Sequence, residues 1–228
     1  MQLKRSILKP EYLTALNKEQ TEIFNKLAFT KRFDIYLAGG TALTFYLNHR
    51  TSADFDFYSS KKLNIAGYFT EVFKKEGYSV TINMDTPETT DLMVGNIHIS
   101  CFYYPYKLIR QLFSFQDIYV ASVEDIAAMK IIAIVQRGKF RDFTDIYFLM
   151  RTFGLEKIIE WTKEKYPEYS TTLILKALVY FEDAGGEISS NGRGLKIFDS
   201  TLTWTKIKKF IIKETLKFHK NYLNLGKF

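Results

Sequence analysis

The chain has 228 residues, 46% hydrophobic and 25% charged, enough for one large domain or two small ones and too apolar for long disorder. A single cysteine, Cys101, excludes an intramolecular disulfide, and no apolar run approaches the ~20 residues that span a bilayer. Of the net charge of +7, six units fall on residues 205–228, where seven lysines face one acid, Glu214.

The lone cysteine, and a first segment without an apolar signal core, predict a cytoplasmic protein with no membrane association. Aromatics make up 16% of the chain, with 20 Phe and 15 Tyr, and predict an aromatic-rich core. The basic end would attract a phosphate-rich partner such as RNA; equally, it reads as a solvated helix face that keeps the protein soluble.

Helical spacing covers residues 18–27, and residues 33–38 read as a strand stopped by Gly39-Gly40. A short helix is expected over 41–47 and an alternating strand over 53–58. Residues 64–76 read as a helix ending at Gly77. Strands are expected over 78–83, 91–94 and 97–104, the last two joined by a Gly95-Asn96 hairpin turn. A loop is expected from there to Ser122. Ser122-Val123-Glu124-Asp125 resembles a capping box, so a helix is expected from there to Gly138. Further helices are expected over 141–153, 156–166 and 171–183. On a final helix, Trp204, Ile207, Ile211, Phe218, Tyr222 and Leu225 line one side, with most of the lysines on the other. The first half is therefore α/β and the second mostly helical, with a soft boundary near residue 115.

Two local patterns carry chemistry. A strand ending in Gly39-Gly40-Thr41 and entering a helix suits phosphate binding, because glycines admit an anion close to the backbone and free N–H groups at the helix start point at it. The Thr41 hydroxyl could cap the helix and also reach a phosphate oxygen. Asp54 and Asp56, two apart on a strand, project from one face while Phe55 and Phe57 project from the other. Two such carboxylates repel unless a cation lies between them, and oxygen-only ligands suit Mg²⁺. Each pattern also has a plain structural reading, as a tight turn and as the solvent face of an edge strand. Their separation by twelve residues, enough for a short helix and a return turn, would bring both to one sheet edge.

Leu37-Ala38-Gly39-Gly40-Thr41-Ala42-Leu43, followed by His49-Arg50-Thr51-Ser52-Ala53-Asp54-Phe55-Asp56-Phe57, resembles the AbiEii/AbiGii toxin family of nucleotidyltransferases. So do Ala121-Ser122-Val123-Glu124-Asp125-Ile126-Ala127-Ala128-Met129-Lys130, the run from Gln136 to Tyr147 and the run from Ala177 to Ala184. The resemblance implies an α+β fold of the DNA polymerase β-like superfamily. Residues 1–115 would form a nucleotidyltransferase core of mixed sheet and helices. Residues 116–228 would form a mainly helical region that completes the active site and ends in a basic helix. It further implies the toxin of a type IV toxin–antitoxin system, with a cognate antitoxin as partner.

By the same resemblance Gly39, Gly40 and Thr41 hold nucleotide phosphates, Asp54 and Asp56 bind Mg²⁺, and Lys130 and Asp145 are the catalytic motif lysine and aspartate. Arg137 and Arg141 are expected to assist in nucleotide binding. The residues themselves agree in part: Lys130 lies in an otherwise apolar helix, where an unpaired ammonium is costly. Gly138 lets the chain double back so that Lys130, Arg137 and Asp145 can meet. The same set reads equally as a structural ion-pair cluster between two helices. Many enzymes of the superfamily carry a third carboxylate on a later strand; here the strand 97–102 offers only His98 and Ser100 on that face, with Asp91 on the preceding strand as a substitute.

The expected activity is transfer of a nucleoside monophosphate from an NTP to an acceptor hydroxyl, first of all an RNA or tRNA 3′ end. The alternatives are nucleotidylation of a small molecule or protein, or a catalytically degenerate nucleotide-binding module.

Overall fold

The computed structural model describes residue 13 and residues 15–185 and 195–224, and the chain forms two compact units, Met1–Val123 and Glu124–Phe228. The first unit opens with α1 (Lys18–Phe24), started by a reciprocal cap between Asn17 and Gln20. A 3₁₀ segment, Leu27–Phe33, follows and closes on Asp34 in the left-handed conformation, φ 54°. That turn takes up the beginning of the strand expected over 33–38, so β1 is only Tyr36–Leu37.

After β1 come α2 (Gly39–Leu47), β2 (Phe55–Ser59), α3 (Ala66–Lys75), β3 (Val80–Asp85), β4 (Thr89–Val94) and β5 (Ile97–Tyr103). Two further strands, β6 (Phe113–Phe115) and β7 (Ile118–Val120), stand where a loop was expected. Their turn is Gln116-Asp117, with φ of 46° and 59°, a mirror-image hairpin conformation normally announced by Asn-Gly. With neither residue a glycine, the sequence carries no sign of it. Because β7 pairs in parallel with β1, the sheet extends past residue 115 and the two units divide at Val123/Glu124.

The seven strands form one mixed sheet in the order β3-β4-β5-β2-β1-β7-β6. β2 runs parallel to β5 and antiparallel to β1, which places the carboxylate strand in the middle. Along β2, Phe55, Phe57 and Ser59 are buried while Asp56 and Tyr58 on the opposite face are half-buried. The buried face meets an aromatic core: the Phe24 ring lies 5.8 Å from Phe55 and 5.4 Å from Phe45, and Phe29 packs on Phe69. Each such ring pair contributes ~0.5–1.5 kcal/mol beyond its buried area.

The second unit is helical: α4 (Val123–Gln136), α5 (Phe140–Phe153), α6 (Leu155–Lys165), α7 (Thr171–Leu178), a 3₁₀ turn (Glu182–Ala184) and α8 (Trp204–Asn224). α4 and α5 form the expected helical hairpin, with Gly138 at φ 47° between them. α7 ends at Leu178, short of the expected 183, and leaves Val179 and Tyr180 exposed. No glycine or proline between 171 and 183 marks that break.

On α8, Ile207 and Ile211 are fully buried, Thr215 nearly so, and the Trp204 ring packs on Phe140, Phe143 and Phe181. Lys206, Lys209, Lys213, Lys217 and Lys220 are exposed, at spacings of three and four that align them along the opposite face. Leu225 and Lys227 lie outside the described residues. Among the described residues no helix is long and apolar enough to cross a membrane.

Candidate active site

α2 begins at Gly39, two residues before the expected start at Thr41, and Ala38 caps it without a side-chain hydrogen bond. The first N–H groups of a helix have no acceptor within it, so those of Gly39, Gly40 and Thr41 form the turn's potential anion site. Gly39 adopts φ +68°, and a Cβ built there would lie 2.7 Å from Asp56 Oδ2. The missing side chain is therefore what lets the helix start sit directly against the carboxylate.

The backbone binds the two features together. Ala38 N–H donates to the Asp56 carbonyl (3.0 Å), extending the β1–β2 pairing to the helix start. Thr41, fully buried, donates its hydroxyl to the Asp54 carbonyl (2.5 Å). Its side chain thus ties α2 to the residue before β2, where capping or phosphate contact had been expected. Asp54 itself precedes β2 by one residue, and like Asp56 it is half-buried.

Two residues that the sequence reading left without a role complete this arrangement. Gln20, 3% exposed, donates its side-chain amide to the carbonyls of Ser52 (2.6 Å) and Ala53 (2.9 Å), clamping the segment that leads into Asp54. Arg50, 2% exposed, donates to the Thr51 carbonyl (2.8 Å), and a Cβ built on Gly40 would lie 2.5 Å from its guanidinium. A buried guanidinium beside a glycine-rich helix start keeps positive charge close to the site. The available signal was an arginine four residues before Asp54, inside the family-like run but without a periodic pattern to say that it turns inward.

The neighbouring strand supplies polar groups in place of a third carboxylate. Ser100 is paired with Asp56 across β2 and β5, and with Asp91 across β5 and β4. Asp91 therefore lies two strands from Asp56, roughly 10 Å away at ~4.8 Å per strand. Its oxygens are already engaged: Oδ1 accepts from Asn83 (2.7 Å), and Oδ2 meets His98 Nε2 (2.7 Å) and Ser100 Oγ (3.3 Å). Partial burial pushes the Asp91 carboxyl up, but the hydrogen bond from Asn83 and the charge and hydrogen bond of His98 outweigh it, and the net displacement is downward.

In the helical unit, Lys130, 6% exposed, contacts Asp142 (3.0 Å) and Asp145 (2.7 Å), both fully buried. Arg137 Nε lies 3.3 Å from Asp142 Oδ2, while its own side chain remains 48% exposed. That contact falls short of hydrogen-bond geometry, so it is an ion pair only. Burial pushes the Asp142 carboxyl up, yet the charges of Lys130 and Arg137 outweigh it and hold it below the usual range. The expected meeting of Lys130, Arg137 and Asp145 is thus present, with Asp142 at its centre. Arg141 lies on the first turn of α5, half-buried. A second buried pair, Lys165–Asp125 at 2.8 Å, joins α6 to the start of α4 across forty residues of sequence.

Cys101 lies in the core, and burial pushes its thiol up to about 12, which removes it as a nucleophile at neutral pH. His49 is buried and His219 is exposed on α8.

A glycine turn that seats a helix N-terminus against a strand carboxylate, with a second carboxylate two residues earlier, in a mixed sheet followed by a helical unit, is the build of a nucleotidyltransferase. The chain belongs to the AbiEii family: the model described as "Nucleotidyl transferase AbiEii toxin, Type IV TA system" matches residues 24–214. A protein of Aquifex aeolicus (strain VF5), itself uncharacterized, is 33% identical over 211 residues, covering 90% of this chain and 98% of its own. Among solved structures, JHP933 from Helicobacter pylori has the same fold, with a TM-score of 0.60, 19% identity and coverage of 96% and 97% of the two chains. MenT4, a nucleotidyltransferase toxin from Mycobacterium tuberculosis H37Rv, has a TM-score of 0.53 at 13% identity, covering 93% of this chain and 86% of its own. The protein is therefore a nucleotidyltransferase of a toxin family, a class that generally uses a divalent metal.

Proposed function

We propose that this protein transfers a nucleoside monophosphate from an NTP to a hydroxyl at an RNA 3′ end, with Mg²⁺ held by Asp54 and Asp56. The observation that carries the reading is the close approach of Gly39 to Asp56, which sets the start of α2 against a carboxylate of metal-binding type. Two half-buried carboxylates with oxygen donors only fit a hard divalent cation that keeps waters and takes phosphate oxygens as further ligands. Such a cation, when bound, would orient the triphosphate and stabilise charge as the α-phosphorus is attacked.

The protein's own residues do the rest. Backbone N–H groups of Gly39, Gly40 and Thr41 receive phosphate oxygens, and the Thr41 hydroxyl holds Asp54 in place. Lys130, Arg137 and Arg141 supply positive charge in the helical unit, with Asp142 and Asp145 fixing Lys130. The assignment of Lys130 and Asp145 to catalysis follows the family pattern. RNA is favoured as acceptor by the exposed lysine face of α8, because a phosphate backbone is the polyanion that a row of five ammonium groups fits. An antitoxin encoded alongside is the expected protein partner, and the cytoplasm the expected location.

The test is incubation with each labelled NTP, Mg²⁺ and total tRNA. Label transfer that is lost in Asp56→Ala supports the reading; absence of transfer with every NTP, or transfer undiminished in Asp56→Ala, overturns it. Charge reversal at Lys209, Lys213 and Lys217 should abolish transfer to RNA while leaving NTP binding intact, and indifference to it would point to a small acceptor.

A further inference from the structure

A nucleotidyl transfer needs a group to take the proton of the attacking hydroxyl, and neither Asp54 nor Asp56 is free to do so while both serve a cation. The face of the sheet that carries Asp56 holds one arrangement suited to the task. His98 and Ser100 lie two apart on β5 and so project from one face, and Ser100 is the direct cross-strand neighbour of Asp56. His98 is thus on the strand next to Asp56 and on its side of the sheet, one strand spacing of ~4.8 Å across and two residues, ~6.6 Å, along, or ~8 Å between backbones.

The imidazole is held from behind. Its Nε2 lies 2.7 Å from Asp91 Oδ2, and Asp91 is in turn oriented by Asn83 at 2.7 Å and Ser100 at 3.3 Å. A carboxylate can only accept, so Nε2 is the donor in this contact, and whenever the ring is neutral Nδ1 is the nitrogen that can accept a proton. The side chain is 34% exposed and the carboxylate 25%, so substrate can approach the ring without displacing the core. A base oriented by a third group is a recurring catalytic arrangement.

We infer that His98 is the general base that activates the acceptor hydroxyl, with Asp91 as the residue that positions it. This rests on the nucleotidyltransfer proposed above. The acceptor O–H bond breaks and its proton passes to His98 Nδ1. The oxygen forms a bond to the α-phosphorus, and the bond from that phosphorus to the bridging oxygen breaks. Pyrophosphate leaves with its electron pair.

The experiment compares wild type, Asp56→Ala, His98→Ala and Asp91→Asn in labelled transfer to tRNA, with MgNTP affinity measured by calorimetry on each. If wild type does not transfer, or Asp56→Ala transfers undiminished, the underlying reading fails. Given a wild type that transfers, His98→Ala should lower kcat by ~10²–10⁴-fold, the usual contribution of a general base, with MgNTP affinity unchanged. Added imidazole should restore part of that rate. Asp91→Asn, which keeps the shape but lets the ring take either tautomer, should lower kcat by a smaller factor, again without loss of MgNTP affinity. An unchanged kcat in His98→Ala, a loss of kcat matched by loss of MgNTP affinity, or no response to imidazole overturns the inference.

Discussion

Replacing Gly39 with alanine tests the link between fold and site most directly. At φ +68° an L-residue costs ~1–2 kcal/mol over glycine. The added Cβ would stand 2.7 Å from Asp56 Oδ2, 3.3 Å from its Cβ and 3.4 Å from its Cγ, so the contact involves the root of a short side chain as well as its tip. Asp56 cannot swing clear without leaving the helix start, because the Ala38–Asp56 backbone hydrogen bond holds the two segments together. Strain alone predicts a lowering of the thermal midpoint by ~2–8 °C for a domain of this size. Displacement of the carboxylate by up to ~1 Å predicts a loss of transfer of up to ~10²-fold. Gly67→Ala is the control: it lies in α3, and its Cβ would meet nothing within 4 Å. Helix propensity there predicts a gain of up to ~1 kcal/mol and unaltered transfer. Thermal unfolding and labelled-NTP transfer measured on both variants decide the matter. A Gly39→Ala protein with wild-type midpoint and wild-type transfer would refute the reasoning.

Lys130→Met should destabilise the protein by ~3–5 kcal/mol in denaturant unfolding, because it leaves Asp142 and Asp145 buried without their cation. The Asp142 carboxyl is held low in the folded state, so its contribution is present above its unfolded value of ~3.9 and is lost as pH falls through the folded one. The stability gap between wild type and Lys130→Met should accordingly narrow as the pH is lowered below ~4, and a gap independent of pH would argue against the ion-pair account. The Cys101 thiol, pushed up to about 12, should resist alkylation in the native protein at neutral pH and react on unfolding; rapid native labelling would contradict its placement in the core.

Much of the site was legible from short-range pattern. Alternation of Asp54 and Asp56 with Phe55 and Phe57 assigns the carboxylates to one face, because successive residues of a strand point to opposite sides. The glycine pair marks a turn that other residues resist, and the three- and four-residue spacing of lysines on α8 sets them opposite Ile207 and Ile211. Gly138 between two helical runs brings Lys130 and Asp145 together. These features depend on residues a few positions apart, and local backbone geometry suffices to relate them.

Tertiary structure alone decided what lies beside them. Periodicity tells which face a side chain takes but not which strand comes next or in what register, so the pairing of Ser100 with both Asp56 and Asp91, and the His98–Asp91 contact it frames, could not be read in advance. Nor could the inward turn of Arg50, the clamp of Gln20 on the 52–53 backbone, or the Lys165–Asp125 pair. The β6–β7 hairpin was hidden for a related reason, since Gln116 and Asp117 take a left-handed conformation that their own chemistry does not ask for and the surrounding sheet imposes. The sequence by itself thus determined the two carboxylates and the glycine turn of the proposed nucleotide site, because each is a local pattern. The polar network on the adjoining strands came from folding, because only the folded sheet brings residues this distant in sequence within hydrogen-bond reach.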